Sequence, residues 1–278
     1  MAILFSCKGH KQQNTRKKIL IIKTDNIGDF ILWTDAAKEY KKIFSPDEFE
    51  ITLLANSMWA ELAKKTGYFD AVIPLDRKKF MLHPFYRFSK MKEVIALKWH
   101  RVIYHSFSHE FGVGLSIIRL VRAHEIIAGP SDNGIDNEFW RNIVKRKINY
   151  TPYIDPHQIH ELKKNAAFIR TLGAEKFTDA IPELKFLSAP LSMHLPQNYY
   201  VIFPGASSPM RKWSEPNFAE LCNYIYEKTK LTGIVCGGKG EVKIADNIIA
   251  QSKAQLMSVA GKTNLQDLLT ILEKSTLT

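Results

Sequence analysis

The chain has 278 residues, enough for one large or two ordinary domains, and 45% of them are hydrophobic, which excludes an intrinsically disordered protein. Its 39 Lys and Arg residues against 28 Asp and Glu give a formal net charge of +11. A balance this basic indicates an acidic partner: nucleic acid, an anionic membrane surface or phosphorylated small molecules.

Cysteine and histidine spacing argues against a disulfide framework or a metal site. Cys7, Cys222 and Cys236 form no C-x-x-C pair, which favours a reducing cytosol, and we expect the last two in the core. The nine histidines form no H-E-x-x-H motif, so no metal is predicted. No apolar run reaches the roughly 18 residues that span a bilayer. Residues 1–16, with an apolar run too short for a signal peptide, are predicted to be a basic arm of a cytoplasmic protein.

The stretch from Lys18 to Asp29 predicts a strand, a tight polar turn and the start of a helix. Four consecutive apolar residues, 19–22, are typical of a strand buried on both faces in a parallel sheet. The turn places the Asp29 carboxylate at the N-terminus of a helix extending to Phe44, at the sheet edge where α/β folds bind ligands. On the turn alone, Asp29 is either a helix-capping residue without chemistry or a catalytic carboxylate.

Strand and helix patterns then alternate, which predicts a doubly wound parallel sheet. The strand patterns cover residues 51–55, 71–75, 101–105 and 125–129, and the helical patterns cover 57–65, 84–97 and 109–122. Pro74 weakens its strand or puts it at a sheet edge. The pattern lapses over 130–153, and a helix over 157–172 ends at Gly173.

After a proline-rich segment, predicted to be a linker over 178–198, a second α/β unit begins. Its strands are predicted over 199–203, 232–236 and 257–260, and its helices over 215–230, 242–252 and 265–274.

The turn after the first of these strands carries groups suited to an anion. Gly205 lets the backbone approach a ligand closely, where N–H groups and the helix dipole favour negative charge. Ser207 and Ser208 add hydroxyls, and Arg211 and Lys212 add positive charge. Neither a P-loop nor a dinucleotide fingerprint is present, and the alternative is an ordinary turn with surface cations.

The next turn repeats this logic with Gly237, Gly238 and Glu241. The glycines clear space beside a strand end, and Glu241 could accept hydrogen bonds from a ribose. The alternative is a flexible loop in which Glu241 stabilises the start of its helix.

Arginines and lysines in the N-terminal half form either a solvated face or a patch for a phosphorylated lipid acceptor. They include Arg77, Lys79, Arg119 and Arg122, with Tyr86 and Phe88 close to Arg87 in sequence. No nucleic-acid-binding module is present, so no nucleic-acid partner is predicted.

Four segments in register resemble one family. Residues 19–29, 203–214, 237–241 and 260–269 are similar to motifs of the ADP-heptose:lipopolysaccharide heptosyltransferases, the inverting glycosyltransferase family nine. The resemblance extends from about residue 17 to residue 275. It implies a GT-B fold, with two Rossmann-like domains facing a cleft: an acceptor domain over 17–177 and a nucleotide-sugar domain over 199–278.

The resemblance also implies roles for individual residues. Asp29 matches the general base, Arg211 stands where the family usually has a lysine for the donor phosphates, and Glu241 matches the ribose-binding acid. The donor set is then Gly205, Ser207, Ser208, Arg211, Lys212, Gly237, Gly238 and Glu241. The expected acceptor set is Lys23, Asp25, Asn26, Gly28, Arg77, Lys79, Arg119 and Arg122.

The implied reaction is metal-independent transfer of heptose from ADP-heptose to the lipopolysaccharide inner core, with Kdo-lipid A or a heptosylated core as acceptor. No cofactor is expected, and the predicted protein is a cytoplasmic monomer peripheral to the inner membrane of a Gram-negative bacterium. A family motif, Asn-Asp-(Ser/Thr)-Gly-x-x-His, should follow where this chain ends, so the second domain is expected to be incomplete with an exposed sheet edge. The alternatives are another nucleotide-sugar used for a capsule or surface glycan, and a truncated, non-catalytic remnant.

Overall fold

The structure is a computed structural model, and the residues it describes are 16–107, 109, 111–129, 148–150, 160–184, 187–188, 190–206 and 208–277. The chain divides into two compact units between Pro182 and Glu183. This division falls inside the predicted linker, while the domain boundaries themselves stay a prediction. The basic arm, apart from Arg16, and most of the segment 130–153 lie outside the described residues.

Unit 1 is built on a parallel sheet, as the alternating pattern predicts. Its strands are β1 (Lys17–Lys23), β2 (Phe49–Asn56), β3 (Ala71–Leu75), β4 (Lys98–Tyr104), β5 (Arg122–Ala128) and β6 (Asn149–Tyr150). They are arranged in the order β3-β2-β1-β4-β5-β6, and every pairing is parallel. The edge position of β3 confirms the prediction from Pro74, because an edge strand has a side where a missing N–H costs no ladder hydrogen bond.

Helices cover both faces of this sheet. They are α1 (Ile27–Ala37), α2 (Tyr40–Ile43), α3 (Ala60–Lys65), α4 (Arg77–Leu82), α5 (Pro84–Ile95), α6 (Ser116–Leu120) and α7 (Glu161–Thr171). Ile19 to Ile22 of β1 are fully buried, which confirms the double-faced burial predicted for this strand. Leu20 and Ile22 join the core beneath α4, α5 and α6.

The helices differ from the predicted ones in three places. Residues 77–82 form the unpredicted helix α4, whose start is capped by Asp76, the acceptor of the Lys79 N–H at 2.9 Å. The helix predicted over 109–122 is a π-helical turn, Phe111–Leu115, followed by α6, and Arg122 already belongs to β5. The helix predicted to reach Phe44 breaks at residues 38–39 between α1 and α2. The stop at Gly173 is confirmed by its φ of +125°.

Two glycines of the π-helical turn allow it to approach neighbouring elements closely. A Cβ at Gly114 would lie 2.4 Å from the ring and hydroxyl of Tyr104, and one at Gly112 would lie 2.4 Å from the Met81 sulfur. Both glycines therefore let this segment lie closer to β4 and α4 than residues with side chains could. A helical period alone cannot reveal this approach, because it depends on side chains from other elements.

Unit 2 contains a second, smaller parallel sheet in the order β7-β8-β9. The elements are β7 (Tyr199–Ile202), α8 (Glu215–Thr229), β8 (Thr232–Val235), α9 (Val242–Gln251), β9 (Leu256–Ser258) and α10 (Leu265–Glu273). One core joins the sheet to α8 and α9 and contains Cys222; the other contains Cys236 and Ile271 of α10. Both cysteines are fully buried, as expected.

Backbone pairing resumes after α10. The Val201 N–H donates to the Leu277 carbonyl at 2.9 Å, and the Thr276 N–H donates to the Tyr199 carbonyl at 2.8 Å. The chain thus begins to pair with β7 where the family resemblance places the start of another strand. Among the described residues, no helix combines the length and apolarity needed to cross a bilayer.

A buried histidine lies at the centre of the α1 side of unit 1. His105 follows β4, and its Nδ1 is 2.8 Å from both the Trp33 indole nitrogen and the Tyr40 hydroxyl. Because an indole N–H can only donate, Nδ1 is the accepting nitrogen, and the neutral ring carries its hydrogen on Nε2. Burial lowers the pKa of His105 well below its ordinary value, and the nearby charge of Lys23 lowers it further.

This histidine should make unit 1 sensitive to acid. The folded state disfavours the imidazolium, so unfolding takes up a proton at any pH below about 6.5, the ordinary histidine pKa. The free energy of unfolding should then fall by up to about 1.4 kcal/mol for each pH unit below that value. Urea unfolding at about pH 7.5 and 5.5 measures this loss. His105→Gln should reduce the loss, whereas His83→Gln, at an exposed position, should not; an unchanged loss in His105→Gln would refute this assignment.

Candidate active site

The turn after β1 begins with a buried ion pair. Lys23, only 1% exposed, places its Nζ 2.8 Å from Oδ2 of Asp25. The other oxygen of Asp25 accepts a hydrogen bond from the Ser106 hydroxyl at 2.8 Å. Since Ser106 comes just after β4, the pair ties the ends of two neighbouring strands together. Lys23, which was predicted to bind the acceptor, is therefore buried beneath the turn and does not present its charge to solvent.

Side chains from β2 and its following turn hold the backbone of the same segment. The Asp25 carbonyl accepts hydrogen bonds from Asn56 Nδ2 at 3.1 Å and from Trp59 Nε1 at 2.9 Å. The Trp59 ring stacks on Phe30 with a centroid separation of 4.3 Å. The turn is therefore fixed from two sides before any ligand binds, which favours a preorganised site.

Asp29 occupies the third position of α1, and the N-cap residue is Asn26. Oδ2 of Asp29 accepts the Asn26 backbone N–H at 3.1 Å, so the capping interpretation accounts for one carboxylate oxygen. Oδ1 has no hydrogen-bond partner among the residues that the structure describes. The side chain is half-buried, and it therefore combines a fixed position with an oxygen available for a substrate proton.

A cation and an open glycine complete the turn. Arg77, the first residue of α4, donates from its guanidinium to Asn26 Oδ1 at 3.2 Å. No atom lies within 4 Å of the place where a Cβ on Gly28 would stand, so the surface is open there. A carboxylate, a guanidinium and exposed backbone thus meet at the carboxyl ends of β1 and β3, a usual place for ligands in such sheets.

The other predicted acceptor cations lie elsewhere. Lys79 is exposed on α4, with its Nζ 3.9 Å from Asp76, and Arg119 is exposed near the end of α6. Arg122 begins β5 and lies in register with Lys98 at the start of β4. In a parallel sheet that is the amino edge, opposite the edge where Asp29 lies. The structure therefore brings Arg77 to the turn but does not bring Arg122 there.

In unit 2, the turn after β7 leads through a short 3₁₀ helix, Pro209–Arg211, into α8. Ser214 caps α8 by accepting the Asn217 N–H at 3.4 Å. Arg211 and Lys212 are both exposed, and Ser208 is half-buried. Ser207 lies outside the described residues. The exposed cations thus precede the N-terminus of a 15-residue helix, whose dipole adds to their positive potential.

Glu241 joins the two glycine turns of unit 2. Its Oε2 accepts the Gly238 N–H at 2.6 Å, which stabilises the start of a short 3₁₀ helix, Lys239–Glu241. A Cβ on Gly205 would stand 1.6 Å from Oε1 of Glu241, and one on Gly237 would stand 2.7 Å from Oε2. Both glycines leave the space that the carboxylate occupies in this arrangement. The predicted donor residues Gly205, Gly237, Gly238 and Glu241 therefore form one cluster.

The turn after β9 packs against the same cluster, although no single residue there was predicted. The Gly261 N–H donates to the Gly237 carbonyl at 2.9 Å, and Gly261 has a φ of +70°. Asn264 caps α10 by accepting the N–H groups of Gln266 and Asp267 at 2.8 and 3.0 Å. All three strand ends of this sheet thus contribute a turn to one edge.

Within the described part of the chain, no three His, Cys, Asp or Glu side chains come together in a way that could hold a metal ion. The expectation of a metal-independent reaction stays a prediction.

Comparison with known proteins identifies the family. The family model described as glycosyltransferase family 9 (heptosyltransferase) matches residues 130–278, more than half of the chain. The chain belongs to glycosyltransferase family 9. This confirms the predicted family, and with it a transferase of the heptosyltransferase class. None of the curated proteins searched matches this chain.

Solved structures show the fold of this family 9 glycosyltransferase. A family 9 glycosyltransferase from Veillonella parvula gives a TM-score of 0.71 at 16% identity, over 94% of this chain and 75% of that one. ADP-heptose lps heptosyltransferase II of E. coli gives a TM-score of 0.63 at 12% identity, over 94% of this chain and 78% of that one. E. coli heptosyltransferase WaaC with ADP gives a TM-score of 0.63 at 12% identity, over 92% of this chain and 85% of that one. These similarities confirm the predicted α/β class with Rossmann-like sheets of the GT-B type.

The cluster around Glu241 can be tested by adding one methyl group. Gly205→Ala should displace the Glu241 carboxylate and break its hydrogen bond to Gly238, lowering the free energy of unfolding by about 1 kcal/mol. Gly240→Ala is the matched control, because nothing lies within 4 Å of its added Cβ. In a Glu241→Ala background the Gly205→Ala cost should disappear, since the obstacle is gone. Urea unfolding of the four variants decides this, and an undiminished cost in that background would contradict the assigned contact.

Proposed function

We propose that this glycosyltransferase transfers heptose from ADP-heptose to the inner core of lipopolysaccharide, with inversion at the anomeric carbon. The proposal rests on the fixed turn after β1 in a chain of the heptosyltransferase family. There one oxygen of Asp29 is available, and both Asp29 and Arg77 contact Asn26. Of two structurally similar E. coli proteins, one is an ADP-heptose lps heptosyltransferase and the other was solved with ADP, which supports an ADP-linked donor.

In the proposed reaction, the Asp29 carboxylate accepts the proton of an acceptor hydroxyl as its oxygen attacks the anomeric carbon. The bond from that carbon to the diphosphate oxygen breaks, and ADP leaves from the opposite face. The lost hydroxyl proton resides on Asp29, and the leaving diphosphate carries the bonding electron pair. Arg77, held at the turn by Asn26, is placed to attract the acidic groups of the acceptor.

On the donor side, the developing charge on the diphosphate would be stabilised by Ser208, Arg211, Lys212 and the N-terminus of α8. Such groups take the role that a metal ion plays in other transferases. Glu241, fixed across Gly205 and Gly237, would accept hydrogen bonds from the ribose. An acceptor anchored by lipid A would place the enzyme at the cytoplasmic surface of the inner membrane.

Substitution of Asp29 separates catalysis from helix capping. Asp29→Asn keeps an oxygen that can accept the Asn26 N–H but removes the base, so kcat should fall about 10²-fold or more. The free energy of unfolding should change by less than about 0.5 kcal/mol, since the capping geometry survives. Initial rates of ADP release with ADP-heptose and Kdo-lipid A, together with urea unfolding, measure both quantities.

Asp47→Asn, at an exposed position, is the control and should leave kcat unchanged. If Asp29→Asn kept the wild-type rate, or lost activity only together with stability, Asp29 would have no catalytic role.

A further inference from the structure

Large apolar side chains are exposed on one face of unit 1. Phe85 is 91% exposed, Phe88 71%, Leu82 63%, Met81 52% and Leu120 48%. They come from α4, α5 and the end of α6, and we call them together the α4–α6 surface. Water-exposed phenylalanines so close together are unusual on a monomer and mark an interaction surface.

Positive charge surrounds these side chains. Residues 77–92 contain six Lys and Arg residues and no Asp or Glu. Two of these cations are paired with flanking carboxylates, Lys79 with Asp76 and Lys90 with Glu93. Arg87 lies with its guanidinium 5.0 Å from the centroid of the Phe80 ring, so packing holds it close to the core cluster. Lys92 and Arg119 are exposed nearby. The surface therefore combines apolar anchors with a net positive charge, as a partner that is both apolar and anionic requires.

A groove runs between α5 and α6 within this surface. Its volume is about 770 Å³, and it is lined among others by Arg87, Phe88, Lys92, Ile95, Arg119 and Leu120. Aliphatic and aromatic groups meet cations along its walls. An acyl chain with a phosphate headgroup has the same two-part chemistry.

We infer that the α4–α6 surface docks unit 1 on a bilayer containing anionic phospholipid. Phe85 and Phe88 enter the boundary between headgroups and acyl chains, and the surrounding lysines and arginines contact lipid phosphates. A second copy of the chain is a poorer occupant, because pairing this face with itself would bring the net positive charge of the two copies together. Charge complementarity thus selects the anionic lipid surface.

The docking surface is continuous with the candidate active site. Helix α4 begins with Arg77, which contacts Asn26 in the turn, and its last residues, Met81 and Leu82, belong to the α4–α6 surface. Resting on the proposed function, this connection would keep the sugar of a lipid-anchored acceptor near Asp29 while its acyl chains stay in the bilayer. The docking itself does not depend on the sugar chemistry.

Vesicle sedimentation tests the docking without any sugar substrate. Wild-type protein should bind vesicles of phosphatidylethanolamine with phosphatidylglycerol, and bind phosphatidylcholine vesicles much less. The double variant Phe85→Ser/Phe88→Ser should lower the partition coefficient about tenfold or more, because each phenylalanine loses its burial in the lipid. Ile181→Ser, equally apolar and 84% exposed elsewhere in unit 1, is the matched control and should bind as wild type.

A charge variant tests the electrostatic part independently of the phenylalanines. Lys78→Gln/Lys92→Gln should lower binding to the anionic vesicles about fivefold or more for each charge removed. Lys64→Gln/Lys65→Gln on α3 is the control and should have a smaller effect. All four residues are exposed, so the variants should unfold at the wild-type temperature, which circular dichroism checks.

Three results would overturn the inference: no binding of wild-type protein to anionic vesicles, equal loss in each variant and its control, or vesicle binding unchanged in the phenylalanine variant. Conversion of a wild-type dimer to a monomer by Phe85→Ser/Phe88→Ser, with vesicle binding unchanged, would assign the surface to self-association instead. If the protein bound vesicles but transferred no heptose, the docking inference would stand and the proposed function would be refuted.

Discussion

The buried pair between Lys23 and Asp25 is the constraint on which the candidate active site depends. Strand β1 is covered on both faces, so a charged residue at its end must find a partner or pay a desolvation cost of several kcal/mol. Asp25 meets that requirement, and Ser106 satisfies its second oxygen. The pair fixes where the strand ends and the turn begins, and hence where α1 presents Asp29.

The parts of the fold that could be predicted from the sequence are those that local patterns determine. Local patterns are sufficient for β1, for the edge position of β3 and for the helix stop at Gly173, because each depends on neighbouring residues in the chain. The break between α1 and α2, the short helix α4 and the π-helical turn were missed. The π-helical turn lies against Tyr104 and Met81, which approach Gly114 and Gly112 from other elements.

The candidate active site likewise combines residues from one continuous motif with residues that other strands bring to it. The place of Asp29 at the start of α1 could be predicted because its motif is continuous in sequence. Asn56, Trp59 and Ser106 instead reach the turn from other strand ends. Polar residues directly after parallel strands are the signal that could have found them, but strand order is not readable from one sequence. The structure confirms that Glu241 stabilises the start of its helix, while its role in binding a ribose stays a prediction.

The proposed function depends on the identity of the donor sugar, which a screen of nucleotide-sugars determines. Purified protein would be incubated with Kdo-lipid A and one nucleotide-sugar at a time: ADP-heptose, ADP-glucose, UDP-glucose or GDP-mannose. Mass spectrometry of the lipid would then identify the added sugar. We expect addition of one heptose from ADP-heptose and little or none from the others. Transfer of another sugar in preference, or no transfer from ADP-heptose, would contradict it.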